Sequence, residues 1–247
     1  MKKIALFAVA VLFASTPLWA AKGRIQSGKD VKTGDIVWQK ASKKYKITYK
    51  QNKTQVSAEY GLGEFDSLDV EKPANLDAAI QSRNQAALEK ITKDYLMLKW
   101  DRVAGKALVD ILLKNDRNDE AFKVARELIK DDPKGAYLGE FAPAYWRTLQ
   151  KTGETARLEN CLRKAATDGD RLSSANALIM RGDILCDSET PDYRKALTDA
   201  YLRVALMYGD EDCKPARVVA VDRCKDCLTR LGMPSRAAAV EQAANIH

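Results

Sequence analysis

Two different hydrophobic periods divide this chain near residue 73. Before it, apolar and polar residues alternate, as where Tyr45, Ile47 and Tyr49 are separated by single polar residues. An alternation of period two with β-branched and aromatic residues indicates half-buried β-strands. After it, apolar residues recur every three to four positions, which indicates helices. The sequence therefore predicts an α+β protein that is mostly α.

The alternating region predicts four or five short antiparallel strands, at 24–25, 35–39, 45–50, 54–60 and 65–70. Closing them into a small barrel would leave no free sheet edge, and a curved sheet is the alternative. The layout of Gly34-Asp35-Ile36-Val37, an alternating strand, a polar turn and a last strand ending near Pro73 resembles the small SH3-like or Sm-like barrels at the front of secreted bacterial proteins.

The helical region begins with two predicted linking helices over residues 73–99. Asn75 is expected to cap the helix that begins at Leu76, because its side chain can accept an amide hydrogen bond from the first turn. From residue 100 to residue 247, an apolar-striped helix, a short polar turn and a second helix rich in small residues recur four times. The turns are predicted at 115–119, at Gly153, at 187–191 and at 231–234.

The four second helices align on Ala121, Leu158, Ala196 and Ala237, at spacings of 37, 38 and 41 residues. Each helical hairpin leaves an apolar face that its neighbour has to cover, so repeats of this length predict a stacked array, an α-solenoid. Small residues in the second helices allow neighbouring helices to approach closely.

This array resembles the tetratricopeptide repeat (TPR). Ala121 and Pro133 are twelve residues apart, as that family's alanine and proline are. No repeat has the family's full set of positions, and the spacing exceeds the usual 34 residues. The resemblance implies a TPR-like fold that binds partners. Further positions resemble the hairpins of bacterial periplasmic repeat proteins of envelope assembly: Gly182-Asp183, Ala196-Leu197, Tyr201-Leu202, and Leu231-Gly232 before Ala237.

The first 20 residues predict a secretory signal peptide. Lys2 and Lys3 precede an eleven-residue apolar run at 4–14, and cleavage is expected near Ala20 or Ala21. This run is too short to cross a bilayer, which needs about 20 apolar residues. The mature chain is therefore expected to be exported, periplasmic or secreted, without a transmembrane segment. The predicted domains are 1–20 signal peptide, 21–72 small basic β-domain, 73–99 linking helices and 100–247 TPR-like repeats.

Positive charge is concentrated in the β-domain. Residues 22–60 contain ten Lys or Arg against three Asp or Glu, a net charge of +7, whereas residues 61–247 carry a net −2. Clustered positive charge attracts polyanions, and export argues against nucleic acid. One hypothesis is therefore contact with an anionic envelope surface, and the alternative is solvated strand faces and sheet edges protected by lysine. The lysines concerned are Lys43, Lys44, Lys46, Lys50 and Lys53.

The cysteines leave three interpretations open. Cys224 and Cys227 form a C-x-x-C with Cys213 upstream, a pattern known from thiol redox and metal sites. Both lie inside a predicted helix, where Cβ atoms three positions apart are about 5–6 Å apart and a disulfide needs about 3.5–4.5 Å. The only histidine, His247, is terminal. Buried thiols are therefore favoured, and a structural disulfide stays open among Cys161, Cys186, Cys213, Cys224 and Cys227.

Little else in the sequence suggests catalysis, so a non-enzymatic protein without cofactor or metal is predicted. A single terminal histidine supplies no base for a Ser-His or Cys-His nucleophile. Acidic clusters at 131–132, 168–170 and 210–212 lie at helix breaks. Capping and solvation explain these clusters better than paired-carboxylate catalysis or calcium binding.

The predicted function is that of a periplasmic or secreted scaffold that mediates protein–protein interaction in the cell envelope. Its partner is expected to be another envelope protein or peptide, and the oligomeric state stays open. A polyanion-binding β-domain is the alternative, and thiol redox or metal chemistry through Cys224 and Cys227 is a third. Four aromatic residues are candidates to line the partner groove, with core packing as the alternative: Tyr137, Phe141, Tyr145 and Trp146.

Overall fold

The computed structural model describes residues 20–244, in which the chain divides into two compact units. The β unit comprises the residues up to Lys72 together with Asp94–Leu98, and the helical unit comprises Pro73–Lys93 and the residues from Lys99 onward. The predicted signal peptide lies outside the described residues except for Ala20, and so does His247. The predicted class, α+β and mostly helical, is confirmed.

The β unit contains a five-stranded antiparallel sheet with the order β4-β3-β2-β1-β5. The short strand β5 pairs with β1 and not with β4, so β4 and β5 are the two edges of the sheet. The sheet is therefore open, and the barrel alternative is not formed among the described residues. The strands are β1 Ala21–Ser27, β2 Asp30–Gln39, β3 Lys44–Gln51, β4 Thr54–Gly61 and β5 Ser67–Val70.

One face of this sheet is apolar, as the alternating pattern predicts. Ile36 pairs with Ile47 and Trp38 pairs with Tyr45 across β2 and β3, and all four side chains are buried. The β3–β4 turn has positive φ at Asn52 and Lys53, which is the mark of a two-residue type I′ hairpin turn. That turn fixes the strand register and hence which face of β3 is apolar.

The helical unit has its breaks where the sequence predicts them. Residues 193–207 form one continuous helix, in which the segment Ala196–Tyr201 is π-helical. The helices are α1 Leu76–Gln81, α2 Gln85–Asp94, α3 Trp100–Lys114, α4 Asn118–Ile129, α5 Ala142–Lys151, α6 Thr155–Thr167, α7 Arg171–Cys186, α8 Tyr193–Lys195, α9 Leu202–Met207, α10 Lys214–Arg230 and α11 Ala237–Ala244.

Two kinds of packing organise the helical unit. Each helix from α3 to α7 packs on the next one along the chain, and α10 packs on both α9 and α11. In addition, α3 packs on α5, α5 on α7, and α7 on α10. These four, the first helices of the predicted hairpins, are called the leading helices below. They lie side by side, so residues from all four can contribute to one surface.

Small residues make the close helix contacts possible, as predicted. Ala121, Ala125, Ala196 and Ala200 are all buried. A Cβ on Gly105 of α3 would collide with the side chain of Leu128 on α4. A larger residue at position 105 would therefore require the end of the Leu128 side chain to move.

The prediction that the Asn75 side chain caps α1 is wrong. The Asn75 side chain makes no capping hydrogen bond, and its backbone carbonyl accepts the bond from the Ala79 amide at 2.9 Å. Acidic side chains cap two other helices instead: Asp170 accepts from the Ser173 amide and Asp192 from the Lys195 amide.

Candidate functional site

The four leading helices line a groove with a volume of about 950 Å³. We call it the leading-helix groove. All its lining residues belong to the helical unit. They are Asp110, Leu113 and Lys114 of α3; Arg147, Gln150 and Lys151 of α5; Met180, Asp183 and Cys186 of α7; Arg223, Asp226, Cys227, Thr229 and Arg230 of α10; and Asp187, Tyr193 and Tyr201.

Helical periodicity explains why each leading helix contributes a stripe of side chains. Residues three and four positions apart share one helix face. The α10 stripe has this spacing from Arg223 to Arg230, through Asp226 and Cys227. The lining residues of α3 and of α5 span four positions each, and those of α7 follow one another in steps of three. The groove is therefore a repeated feature of the unit, with one stripe from each leading helix.

Asp183 lies at the junction of α7, α10 and the π-helical segment. Its Oδ1 accepts a hydrogen bond from the Tyr201 hydroxyl at 2.7 Å and one from Arg223 Nε at 3.0 Å. Burial raises the pKa of the Asp183 carboxyl, while Tyr201 and Arg223 oppose that rise. Burial and the carboxylate also raise the pKa of the Tyr201 hydroxyl, so this hydroxyl remains a donor at neutral pH.

Gly182 provides the space for the Tyr201 ring. A Cβ at Gly182 would lie 2.5 Å from Cε1 of Tyr201 and 3.1 Å from the Cβ of Ala200. The Tyr201 side chain is fully buried and lies in the π-helical segment, a distortion that often marks functional positions. Three residues matched to the TPR resemblance, Gly182, Asp183 and Tyr201, therefore meet in space.

Charged side chains of both signs line the groove, and the acidic ones are largely paired. Arg147 Nη2 lies 2.7 Å from Asp110 Oδ1, and Arg223 bonds to Asp183. Asp187 is near enough to accept a hydrogen bond from the Gln150 amide at 3.5 Å. Three further cationic residues of the lining are exposed, Lys114, Lys151 and Arg230, and so are the carboxylates of Asp187 and Asp226. The groove therefore has five cationic and four anionic side chains, and accessible groups of both signs.

A second depression of about 960 Å³ continues from the first along the same helices. The two share Arg147, Met180, Asp183 and Arg223. The lining of the second depression adds an acidic set at the N-terminal ends of these helices: Glu140, Asp170, Asp210 and Asp212. The same depression is lined by Lys106 and Arg171, and Arg171 pairs with Asp210, so charges of both signs continue along the combined surface.

The cysteines are all free thiols, and the structure does not favour the C-x-x-C pair. Cys161, Cys213, Cys224 and Cys227 are buried, in agreement with the favoured interpretation, and Cys186 is half-buried. Burial raises the pKa of the Cys224 thiol to about 12. The Cys227 sulfur lies 3.8 Å from that of Cys186 on α7, a proximity that sequence spacing does not reveal.

The aromatic candidates belong mainly to the core. Phe141, Tyr145 and Trp146 are 2%, 3% and 0% exposed. The Trp146 indole donates to the Ala136 carbonyl at 2.8 Å, and the Tyr145 ring stacks on Phe122. Only Tyr137 is partly accessible, with the Lys164 ammonium over its ring. None of these three buried rings is among the lining residues of the leading-helix groove or of the second depression.

The candidate lysines lie around strand β3. Lys44, Lys46 and Lys50 alternate with buried Tyr45 and Ile47, so they share the outer face of the sheet. Lys43 and Lys53 are exposed in the turns before and after β3. The structure therefore places all five lysines in one region of the β unit.

Acidic residues at the helix breaks have structural partners. Asp170 caps α7, Asp132 forms an ion pair with Arg102, and Asp210 forms one with Arg171. Within residues 20–244, no group of three or more His, Cys, Asp or Glu is arranged to hold a metal ion. The same residues contain no helix that is long and apolar enough to cross a membrane.

Comparison with known proteins found no matching protein-family model, no matching curated protein and no matching solved structure. The fold therefore places the chain in the α+β class with an open five-stranded sheet and a helical unit. The leading-helix groove is the feature of the helical unit on which a functional proposal can be built.

Proposed function

We propose that this protein is a non-enzymatic, TPR-like scaffold of the cell envelope that binds a segment of another protein along the leading-helix groove. The observation that carries the proposal is the shared lining: α3, α5, α7 and α10 each contribute a helical stripe to one continuous surface. Helical-repeat arrays present extended concave surfaces of this kind to partners. The signal peptide expected from residues 1–20 supports an exported location.

The size of the groove fits an extended peptide. Adjacent packed helices lie about 8–10 Å apart, so three steps from α3 to α10 span roughly 24–30 Å. An extended chain rises about 3.3 Å per residue. The groove therefore suits a segment of about eight residues.

The charge of the groove favours an acidic segment. Lys114, Lys151 and Arg230 present accessible ammonium and guanidinium groups, and Asp110 and Asp183 are paired with arginines of the groove. With the exposed Asp187 and Asp226 included, the lining has one more cationic than anionic side chain. Arginine binds carboxylates through a planar pair of donors, and lysine binds them as a point charge. Carboxylates of the partner would thus meet cations that are already exposed.

Site-specific photocrosslinking in intact cells tests this proposal. A photoreactive amino acid at Lys114 or Lys151 is expected to capture one discrete protein. Control probes at Lys123 of α4 and Glu159 of α6, which are exposed and outside the groove, are expected to capture none. Equal capture at all four positions, or at none, contradicts a groove-specific partner.

The lysines of β3 favour a second candidate function, binding to an anionic envelope surface. Lys44, Lys46 and Lys50 share one face of the sheet, so their charges act together. Replacing these three by Gln is expected to abolish retention on vesicles containing anionic lipid at low salt. A matched triple substitution in the helical unit, Lys123, Lys130 and Lys134 to Gln, is expected to preserve retention. Equal retention by both variants contradicts this function.

A further inference from the structure

We propose that Cys186 and Cys227 are a reversible disulfide pair that links α7 to α10 at the leading-helix groove. The pairing itself follows from the geometry of the thiols, and its occurrence in the cell rests on the export included in the proposed function. An oxidising compartment outside the cytoplasm is where such a bond forms and persists.

The two sulfurs are already close. Cys186 is the last residue of α7, Cys227 lies in α10, and their Sγ atoms are 3.8 Å apart. A disulfide bond is about 2.05 Å long, so the sulfurs have to approach by about 1.8 Å. Rotation of the side chains supplies displacements of this size. Among the described cysteines, no other pair of sulfurs is in contact.

The environments of the two thiols define the order of the reaction. Cys186 is half-buried and lines the groove, so an incoming disulfide reaches it first, whereas Cys227 is 2% exposed. Burial and the neighbouring Cys186 raise the pKa of the Cys227 thiol to about 12. A thiol with a raised pKa contributes little thiolate at neutral pH, so the step that uses Cys227 is the slower one.

The oxidant is a disulfide, either of low molecular weight or on a thiol oxidoreductase, and the electrons balance in two exchanges. The Cys186 thiolate attacks one sulfur of the oxidant, and the other sulfur leaves as a thiolate that takes up the proton Cys186 lost. The Cys227 thiolate then attacks Cys186 Sγ in the mixed disulfide and releases the second thiol. Two cysteine thiols are oxidised to one disulfide, and the incoming disulfide is reduced to two thiols.

The bond would join the third and fourth predicted hairpins on the surface that receives the partner. It forms beside Tyr201, whose hydroxyl lies 3.7 Å from Cys186 Sγ, and beside the Asp183 carboxylate. Closing a loop of about 40 residues restricts the unfolded chain and stabilises the folded one. Oxidation therefore adds a covalent link between α7 and α10, which noncovalent contacts such as that of Arg223 with Asp183 hold together in the reduced protein.

Peptide mapping of the purified full chain tests the pairing. The protein is incubated with oxidised glutathione, alkylated and digested with trypsin, which separates Cys224 from Cys227 at Lys225. The expected product is residues 182–194 linked to residues 226–230, with three cysteines alkylated and both peptides released by dithiothreitol. Five alkylated thiols, a stable glutathione adduct at Cys186, or a different linked pair overturns the proposal.

Thermal melting provides the second readout. Oxidation is expected to raise Tm by on the order of 5–10 °C. Cys186→Ser is expected to abolish this rise, and Cys161→Ala, a matched loss of a buried thiol in α6, is expected to keep it. An equal rise in Cys186→Ser overturns the proposal. Peptide mapping requires no partner protein. If photocrosslinking captures no partner, the mapping still tests the disulfide. If the mapping finds no disulfide, the scaffold proposal is unaffected.

Discussion

Replacing Tyr201 by Phe removes a single hydroxyl from the junction at Asp183. That hydroxyl donates to the Asp183 carboxylate at 2.7 Å, while Arg223 Nε remains as a donor at 3.0 Å. A hydrogen bond to a charged group contributes about 1.5–3 kcal/mol to stability. Because the carboxylate keeps one donor, we expect a loss in the lower half of this range, about 1.5–2 kcal/mol.

Urea and thermal unfolding of the reduced full chain, followed by circular dichroism, measure this loss. For a chain of this size, 1 kcal/mol corresponds to roughly 2–4 °C in Tm, so Tyr201→Phe is expected to lower Tm by about 3–8 °C. Tyr193→Phe is the matched control, because Tyr193 lines the same groove and its hydroxyl has no hydrogen bond within residues 20–244. Equal, near-zero effects of the two substitutions would refute the stabilising role of the Tyr201 hydroxyl.

Three other substitutions test the same region. Gly182→Ala is expected to displace the Tyr201 ring and lower Tm by more than Tyr201→Phe does, because the new methyl group meets the ring and not only its hydroxyl. Ala200→Arg, at a position that is 2% exposed, is expected to unfold the helical unit at a clearly lower temperature; a wild-type melting temperature contradicts close helix stacking. Burial raises the pKa of the Asp183 carboxyl above its usual value near 3.8, so the folded state binds this proton more tightly than the unfolded state does. The stability that this group contributes is therefore fully present below pH 3.8 and is lost as pH rises through the folded-state pKa. Arg223→Met removes an opposing charge and is expected to raise the Asp183 pKa further, as measured by NMR titration; an unchanged or lower pKa contradicts the coupling.

The fold was predictable because its signals are local. The alternation of apolar and polar residues around Ile47 and the helical spacing of apolar residues after Pro73 depend only on nearby residues. The same holds for the helix breaks at Gly153 and Pro234. Sheet closure was not predictable, since it depends on whether strand β5 reaches β4 across the unit. The Asn75 cap failed because Asn75 has φ −96° and ψ 1° and not the β-region backbone that side-chain capping normally uses, a local geometry that residue type does not reveal.

The candidate site was predictable only in part. Phe141 and Tyr145, at the start of α5 and within it, have the spacing of a helix face, and that spacing does not tell whether a neighbouring helix covers the face. The structure buries both residues, and Trp146 as well. The groove instead uses charged residues with the same spacing, as on α10. The residues Gly182, Asp183 and Tyr201 did appear in the TPR resemblance, but their hydrogen bonds depend on the packing of α7 against the π-helical segment.

The affinity of the crosslinked partner segment for charge-reversed variants tests the central claim most directly. In the first variant, Lys151 and Arg230 of the leading-helix groove are replaced by Glu; in the control, Lys123 and Arg163, which are exposed outside it, are replaced by Glu. The groove variant is expected to raise the Kd of an acidic segment at least tenfold, about 1.4 kcal/mol, while the control stays within twofold of the wild type. Equal changes in both variants, or none in the groove variant, would contradict binding in the groove.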